Sequence, residues 1–239
     1  MMKSLFFLLF SLIFCSKNYD YQINFLGIPV ANCLVNLSDT IVSNQRYKNL
    51  NYKVKTNSFI NNFFKIDNHY TVIIDTTNFN TIFYKKMTYQ PEVTNNIQTT
   101  LVGDSLIYNN SDIKVSIEDK NIFTILYMFE ANDFNELSKI NTIEREGKYY
   151  QYEFEEEKIN TYKLTFNELN PNNYGVIKHT DIFLWGLFLE NSYNQIVMDK
   201  SNSYIKKCYF KKGLMRISAN LIKYKKPLVR GFFYIPTRE

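Results

Sequence analysis

The sequence is short of the residues on which most catalytic and nucleotide-binding sites rest. Among 239 residues there are seven glycines, five prolines, three cysteines, two histidines and one tryptophan. There is no Gly-x-Gly-x-x-Gly, so a phosphate loop cradled by backbone amides is not expected. Neither His-Glu-x-x-His nor Cys-x-x-Cys occurs, which removes the usual zinc spacings, and no Asp-x-Asp-x-Asp-Gly loop points to calcium. No Gly-x-Ser-x-Gly elbow is present. A hydrolase would need His69 or His179 in a cleft beside Ser, Cys or a carboxylate. The expectation is no catalytic residue, no metal and no cofactor.

Long apolar runs are nearly absent too. The one that exists, Leu5–Phe14, is broken only by Ser11. It is half the ~20 residues that a spanning helix needs. With Lys3 before it and Cys15-Ser16 after it, the run reads as an export signal over residues 1–16, with a buried N-terminal helix as the alternative. Cys15 after a short apolar run also has the placement of a lipidated cysteine, although Phe14 stands where a small residue normally precedes one. Cys33 and Cys208 then remain. Export permits a disulfide, but both lie on the apolar side of strand-like runs, where small buried hydrophobes are the simpler reading.

What the chain has is apolar bulk: 45% hydrophobic residues, with 20 Phe and 19 Tyr. That is ample to offset chain entropy, so global disorder is excluded. An AT-rich coding sequence would produce the same bias, and composition alone therefore names no ligand. The net charge of +5 is uneven, with ten Lys/Arg and one acid between Lys206 and Glu239. Such an end suits an anionic surface, and scattered lysines also serve to keep edge strands from pairing.

The dominant pattern has a period of two. Tyr21, Ile23 and Phe25 alternate with Gln22 and Asn24; after Gly27-Ile28-Pro29 the alternation resumes through Ala31, Cys33, Val35 and Leu37. Successive strand side chains face opposite ways, so this is an antiparallel hairpin with one apolar face. The pattern recurs at Tyr52–Thr56, Ile66–Asp75, Phe79–Tyr89, Ile97–Leu101 and Leu106–Ile117. In the Phe79–Tyr89 run the apolar face is read as Phe79, Thr81, Phe83, Met87 and Tyr89, leaving Lys86 outward. After Thr142 it returns at Lys148–Glu155, where Glu153, Glu155 and Glu157 fall on a solvated face. Ile182–Leu189 is apolar on both sides and reads as a strand covered twice. Ser58–Lys65 breaks the alternation as a helical turn or loop, and Asn170-Pro171-Asn172-Asn173 is a turn. Asp119–Glu130 changes to helical spacing, with Asp119 as the candidate cap.

The expected fold is therefore mainly β, a curved antiparallel sheet forming an open or closed barrel with one buried helix near 119–130. A single β-rich domain is expected over 17–224 and an appendage over 225–239. Large aromatics on alternating faces could line a cavity in such a barrel or simply fill it. The candidates for lining are Phe25, Tyr52, Tyr70, Phe83, Phe123, Tyr127, Tyr152, Phe166 and Trp185.

Several short motifs resemble a bacterial envelope family described as domain of unknown function 3108. They are the Tyr21–Val30 strand and Gly-Ile-x-Val turn, Tyr52–Thr56, Phe64-Lys65-Ile66-Asp67, the helix Asn121–Phe129, Tyr174-Gly175-Val176 and the closing hairpin Ile205–Leu221. Ala31 stands where that family usually has Gly, and Asn121 where it has Asp. The resemblance implies a barrel-like sheet in the envelope, and fold analogy with periplasmic lipid carriers implies an apolar ligand. The leading expectation is an exported, periplasmic or envelope-associated, non-catalytic binding module for a lipid or other apolar molecule. An envelope assembly protein acting through a surface and a hydrolase are the alternatives. Expected partners are an apolar ligand, an envelope protein and a membrane reached through Cys15 or the basic C-terminal region. Nucleic acid is not among them.

Overall fold

The computed structural model describes residues 16–109, 111–170, 175 and 181–225. Outside these residues lie the apolar run and Cys15 of the expected signal, most of the Asn170–Asn173 turn, Tyr174 and Val176, His179, and 226–239 of the expected appendage. The described chain folds mainly as antiparallel β.

Eight strands come first: β1 (Ser16–Phe25), β2 (Ile28–Val42), β3 (Gln45–Thr56), β4 (Asp67–Ile74), β5 (Thr81–Gln90), β6 (Val93–Val102), β7 (Ser105–Tyr108) and β8 (Lys114–Ser116). Two helices follow, α1 (Ile122–Glu130) and α2 (Phe134–Leu137), and then β9 (Thr142–Arg145), β10 (Lys148–Lys158) and β11 (Thr161–Glu168). A third helix, α3 (Ile182–Leu187), precedes β12 (Tyr193–Asp199), β13 (Tyr204–Lys212) and β14 (Met215–Lys225). A single 3-10 turn, Ile60–Asn62, occupies the break between β3 and β4.

The sheet runs β8-β7-β6-β5-β4-β3-β2-β1-β14-β13-β12-β11-β10-β9. The first and last described strands pair at its middle, and β8 and β9 are its two edges among the described residues. Fourteen twisted strands exceed the ~10 that an open sheet usually holds, so the sheet curls until its edges approach. The seam is a parallel bridge between Lys120 and Ile143, with the Glu144 N–H donating to Lys120 O at 2.7 Å. Both edge strands are very short, which limits the unpaired backbone left to recruit another chain. The result is a nearly closed barrel.

Inside it sits α1. Asn121, not Asp119, caps this helix: its Oδ1 accepts from the N–H groups of Phe123 (3.0 Å) and Thr124 (3.1 Å). Asp119 instead accepts from Ser116 N–H and the Tyr149 hydroxyl at the seam. Ile122, Ile125, Met128 and Phe129 are buried, so α1 fills the interior as its nearly uniform apolar surface requires.

Two local readings of the sequence are overturned. In β5 the pairing steps from Ile73–Phe83 to Ile74–Thr81, leaving Ile82 as an extra residue. A bulge of one residue reverses every side chain beyond it. Tyr84, Lys86 and Thr88 therefore face inward and are buried, whereas Phe83 is only half-buried and Tyr89 is exposed. The second concerns Ile182–Leu189, which forms α3 rather than a strand. A short apolar run has no period to separate the two states. Asp181 decides it, accepting from Phe183 N–H (3.1 Å) and Leu184 N–H (3.0 Å) as an N-cap.

Replacing Asn121 with Ala should cost about 1–2 kcal/mol of unfolding free energy in urea titrations, whereas Asn121→Ser, which keeps a neutral acceptor at the cap, should lose less.

Candidate functional site: an apolar cavity beside a buried ion cluster

The aromatic residues are unevenly spread through the barrel. On the β10–β11 side Tyr152, Phe154, Phe166, Tyr162 and Phe129 stack into one another, with Tyr152–Phe166 centroids 5.8 Å apart and Phe129–Tyr162 5.3 Å. That side is solid. Across α1, the inward positions of β2, β13 and β14 carry Cys33, Cys208 and Ala219, and α3 carries Gly186. These side chains are too small to reach α1. The space left is a cavity of about 170 Å³ adjoining a second of about 180 Å³.

Ile23, Ile122, Leu126, Phe183, Leu187, Cys208 and Ala219 border both lobes. Apolar cavities of about 150 Å³ stay dry and accept benzene-sized guests, so each lobe is large enough for a short run of methylenes or a ring. Helix α3 covers the space, with Phe183, Leu184 and Leu187 inward and Trp185 outward.

Few polar groups border the cavity. Glu130 borders the first lobe, where its carboxylate accepts from the Tyr19 hydroxyl (2.6 Å) and Ile205 N–H (3.0 Å). Burial raises its pKa, with those two hydrogen bonds opposing the rise. Asn194 borders the second lobe. Its Nδ2 donates to Leu187 O at 3.0 Å, while its buried Oδ1 has no hydrogen-bond donor among the described residues. Cys33 and Cys208 both border the first lobe as free thiols, and burial pushes each up to about 12. At neutral pH they are protonated small hydrophobes and poor nucleophiles.

The predicted aromatics divide accordingly. Tyr52, Tyr70 and Phe123 line the first lobe, with the Phe123 ring 4.8 Å from Tyr52 and 5.0 Å from Tyr70. The others do not reach either lobe. Phe25 is exposed beside the β1–β2 turn, and the β5 bulge directs Phe83 outward. Tyr127 packs on Phe79, Tyr152 and Phe166 belong to the solid side, and Trp185 is 44% exposed on the outer face of α3. Sequence reasoning looked for large side chains, but a cavity is made by small ones.

Against the cavity wall stands a cluster of charges that the sequence did not reveal. The Lys86 ammonium, fully buried, bonds to Glu146 Oε1 and to Asp181 Oδ2 at 3.2 Å. The Tyr84 hydroxyl donates to the same Glu146 oxygen at 3.1 Å, and Asn68 Nδ2 donates to the Tyr70 hydroxyl at 3.1 Å. Burial raises the pKa of both tyrosines, and the nearby carboxylates add to it. Glu144 accepts from the Tyr108 hydroxyl (2.8 Å) and Gly147 N–H (2.6 Å), and burial lifts its carboxyl to about 7.

This cluster is a brace. Glu146 holds a left-handed backbone (φ 53°) in the β9–β10 turn, followed by Gly147 at φ 88°. Asn-Gly is the usual occupant of such a turn; here a glutamate takes the strained position and delivers its carboxylate to Lys86. Gly175 lies against the same turn, where a Cβ would stand 2.7 Å from Glu146 O. Among the described residues no three His, Cys, Asp or Glu side chains are grouped to hold a metal. His69 pairs with Asp67 at 2.8 Å on the half-exposed outer side of β4.

Fold and site together define a nearly closed antiparallel barrel with an internal apolar cavity. No family model matches the chain, and no curated protein matches it. Among solved structures it is similar to a β-barrel-like protein of Domain of Unknown Function DUF1849 from Brucella abortus. The identity is 5%, the TM-score 0.46, and the alignment covers 90% of this chain and 98% of that one. Membership of the domain of unknown function 3108 family is not shown.

Two outcomes follow from the charges. Lys86→Met strands two carboxylates and should cost about 3–5 kcal/mol in chemical denaturation. Adding Glu146→Gln and Asp181→Asn, which keep the hydrogen-bond acceptors, should restore most of it. For Glu144 the proton is held in the fold up to about pH 7 but lost from the unfolded chain near the ordinary carboxylate pKa. Its contribution to stability is therefore full at low pH and is lost as pH rises toward and through 7, by about 3 kcal/mol in all. Glu144→Gln should flatten that part of the stability–pH curve.

Proposed function

We propose that this protein is a non-catalytic binding module that holds an apolar ligand, a lipid acyl chain or a molecule of similar shape, in the cell envelope after export. The observation that carries the reading is the two-lobed cavity between α1, α3 and the small side chains of β2, β13 and β14. An apolar space of this size in a barrel otherwise packed with aromatics forfeits dispersion contacts, at a cost that grows with cavity volume. A bound chain would recover them. The free acceptor on Asn194 suits a ligand with one hydroxyl or amide donor among its methylenes.

The non-catalytic part of the reading rests on how the polar groups are used. Lys86, Glu146 and Asp181 pair with one another, each Glu130 oxygen accepts one hydrogen bond, from Tyr19 or Ile205, and the thiols beside the cavity are held protonated. Export and envelope location rest on the Lys3–Ser16 pattern. The alternative of an assembly protein acting through a surface draws on the exposed apolar side chains at one end of the barrel.

The test is to purify the chain from its native envelope and identify co-purified lipid by mass spectrometry. Binding is then titrated with a fluorescent polyene fatty acid. Ala219→Phe should fill the junction of the lobes, weaken binding at least about tenfold and leave stability equal or higher. Equal binding by Ala219→Phe and wild type, or no co-purified lipid and no saturable titration, would remove the reading.

A further inference from the structure

Seven exposed apolar side chains stand on three neighbouring loops at one end of the barrel. Phe25, Leu26 and Ile28 surround the β1–β2 turn; Phe59, Phe63 and Phe64 come from the segment between β3 and β4; Leu214 tips the β13–β14 turn. The loops are tied together. Leu26 N–H donates to Arg216 O at 2.9 Å, while Asn57 N–H donates to Val30 O at 3.0 Å and its side chain to Pro29 O at 2.7 Å.

The exposure is extreme where the loops protrude: 71% for Phe59, 77% for Phe63 and 89% for Leu214. Phe59 and Phe63 pair edge to face with centroids 5.8 Å apart. Leu26 stands in a left-handed conformation (φ 51°), so it accepts backbone strain without gaining burial. None of these side chains contributes to the core.

Charge singles out the partner. Across segments 25–30, 57–65 and 211–216 there are four basic residues, Lys65, Lys211, Lys212 and Arg216, and no acid; of the acids at the same end, Asp67 is paired with Lys55, and Glu92 and Glu190 belong to other loops. Apolar tips between basic flanks match a bilayer surface, where rings and leucines enter the interfacial zone and Lys/Arg meet anionic headgroups. Three rounded turns offer neither a free strand edge nor a groove, which are the usual platforms for recognising a peptide. A fluid layer requires no such shape.

We propose that this rim docks the barrel onto a bilayer containing anionic lipid, with Phe59, Phe63 and Leu214 inserted and Lys65, Lys211 and Arg216 at the headgroups. Residues 25–30, 57–65 and 211–216 suffice for this surface. It does not depend on what the cavity holds. It does place α3 toward the membrane, since Lys212 at this end of β13 donates to Glu190 O just past that helix.

The experiment reads the rim locally, so that the apolar run Leu5–Phe14 does not confuse it. In the full chain, Phe63→Trp is combined with Trp185→Phe, giving one tryptophan at the rim. Phosphatidylcholine vesicles with and without one-third phosphatidylglycerol are added, some with brominated acyl chains. A blue shift and bromine quenching are expected with the anionic vesicles, weakened by salt. Lys65→Glu with Arg216→Glu should reduce the apparent partitioning about tenfold or more. Unchanged circular dichroism would show that these variants fold. An unmoved tryptophan, or one that responds equally to neutral vesicles and ignores the charge reversals, would overturn the proposal. A shift produced by envelope proteins but not by lipid would replace the membrane with a protein partner.

Discussion

A single buried ammonium group sets the arrangement of this barrel. Lys86 projects from β5 into the interior, where an unpaired charge would be prohibitive, and it is tolerated because Glu146 and Asp181 meet it there. Those partners lie 60 and 95 residues further along the chain. One belongs to the β9–β10 turn on the opposite half of the sheet, and the other is the N-cap of α3. The requirement to neutralise one lysine thus joins the two halves of the ribbon and seats the helix that covers the cavity. A glutamate in a left-handed turn and a glycine that alone fits against it are local costs of the same arrangement.

The interior is also asymmetric in its filling. Stacked rings make the β10–β11 side solid, whereas cysteines, an alanine and a glycine leave space on the side of β2, β13 and β14. Helix α1 divides the two regions and α3 covers the open one. Seen from the proposed membrane-facing end, the helix over the cavity and the exposed aromatic loops lie together. Ligand binding and surface docking would then share one end of the molecule, although each is testable without the other.

Much of this was legible before any coordinates. Period-two alternation at Tyr21–Leu37, Ile66–Asp75 and Lys148–Glu155 identified strands and their inward faces, since a strand with one wet face shows it directly in the sequence. The change to helical spacing over Asp119–Glu130 located α1, with the cap expected two residues early, at Asp119 rather than Asn121. Where a feature depended on a single residue's geometry, the reading failed. One extra residue, Ile82, reversed the second half of β5, moved Phe83 out and brought Lys86 in. Ile182–Leu189 has no period to read, and only the Asp181 cap distinguishes its helix from a strand. Of the aromatics expected at a cavity, Tyr52, Tyr70 and Phe123 line it; the cavity itself arises from Cys33, Cys208, Ala219 and Gly186, whose size mattered and whose chemistry did not.

By itself, the sequence determined that the chain would form a long antiparallel ribbon around a buried helix, because alternation and helical spacing are local properties of consecutive residues. Only the tertiary structure decided where the ribbon closed, which lysine was buried, and where the interior stayed empty. Those outcomes depend on side chains many tens of residues apart meeting at fixed distances, and no local pattern encodes a distance between strands that are not neighbours in the chain.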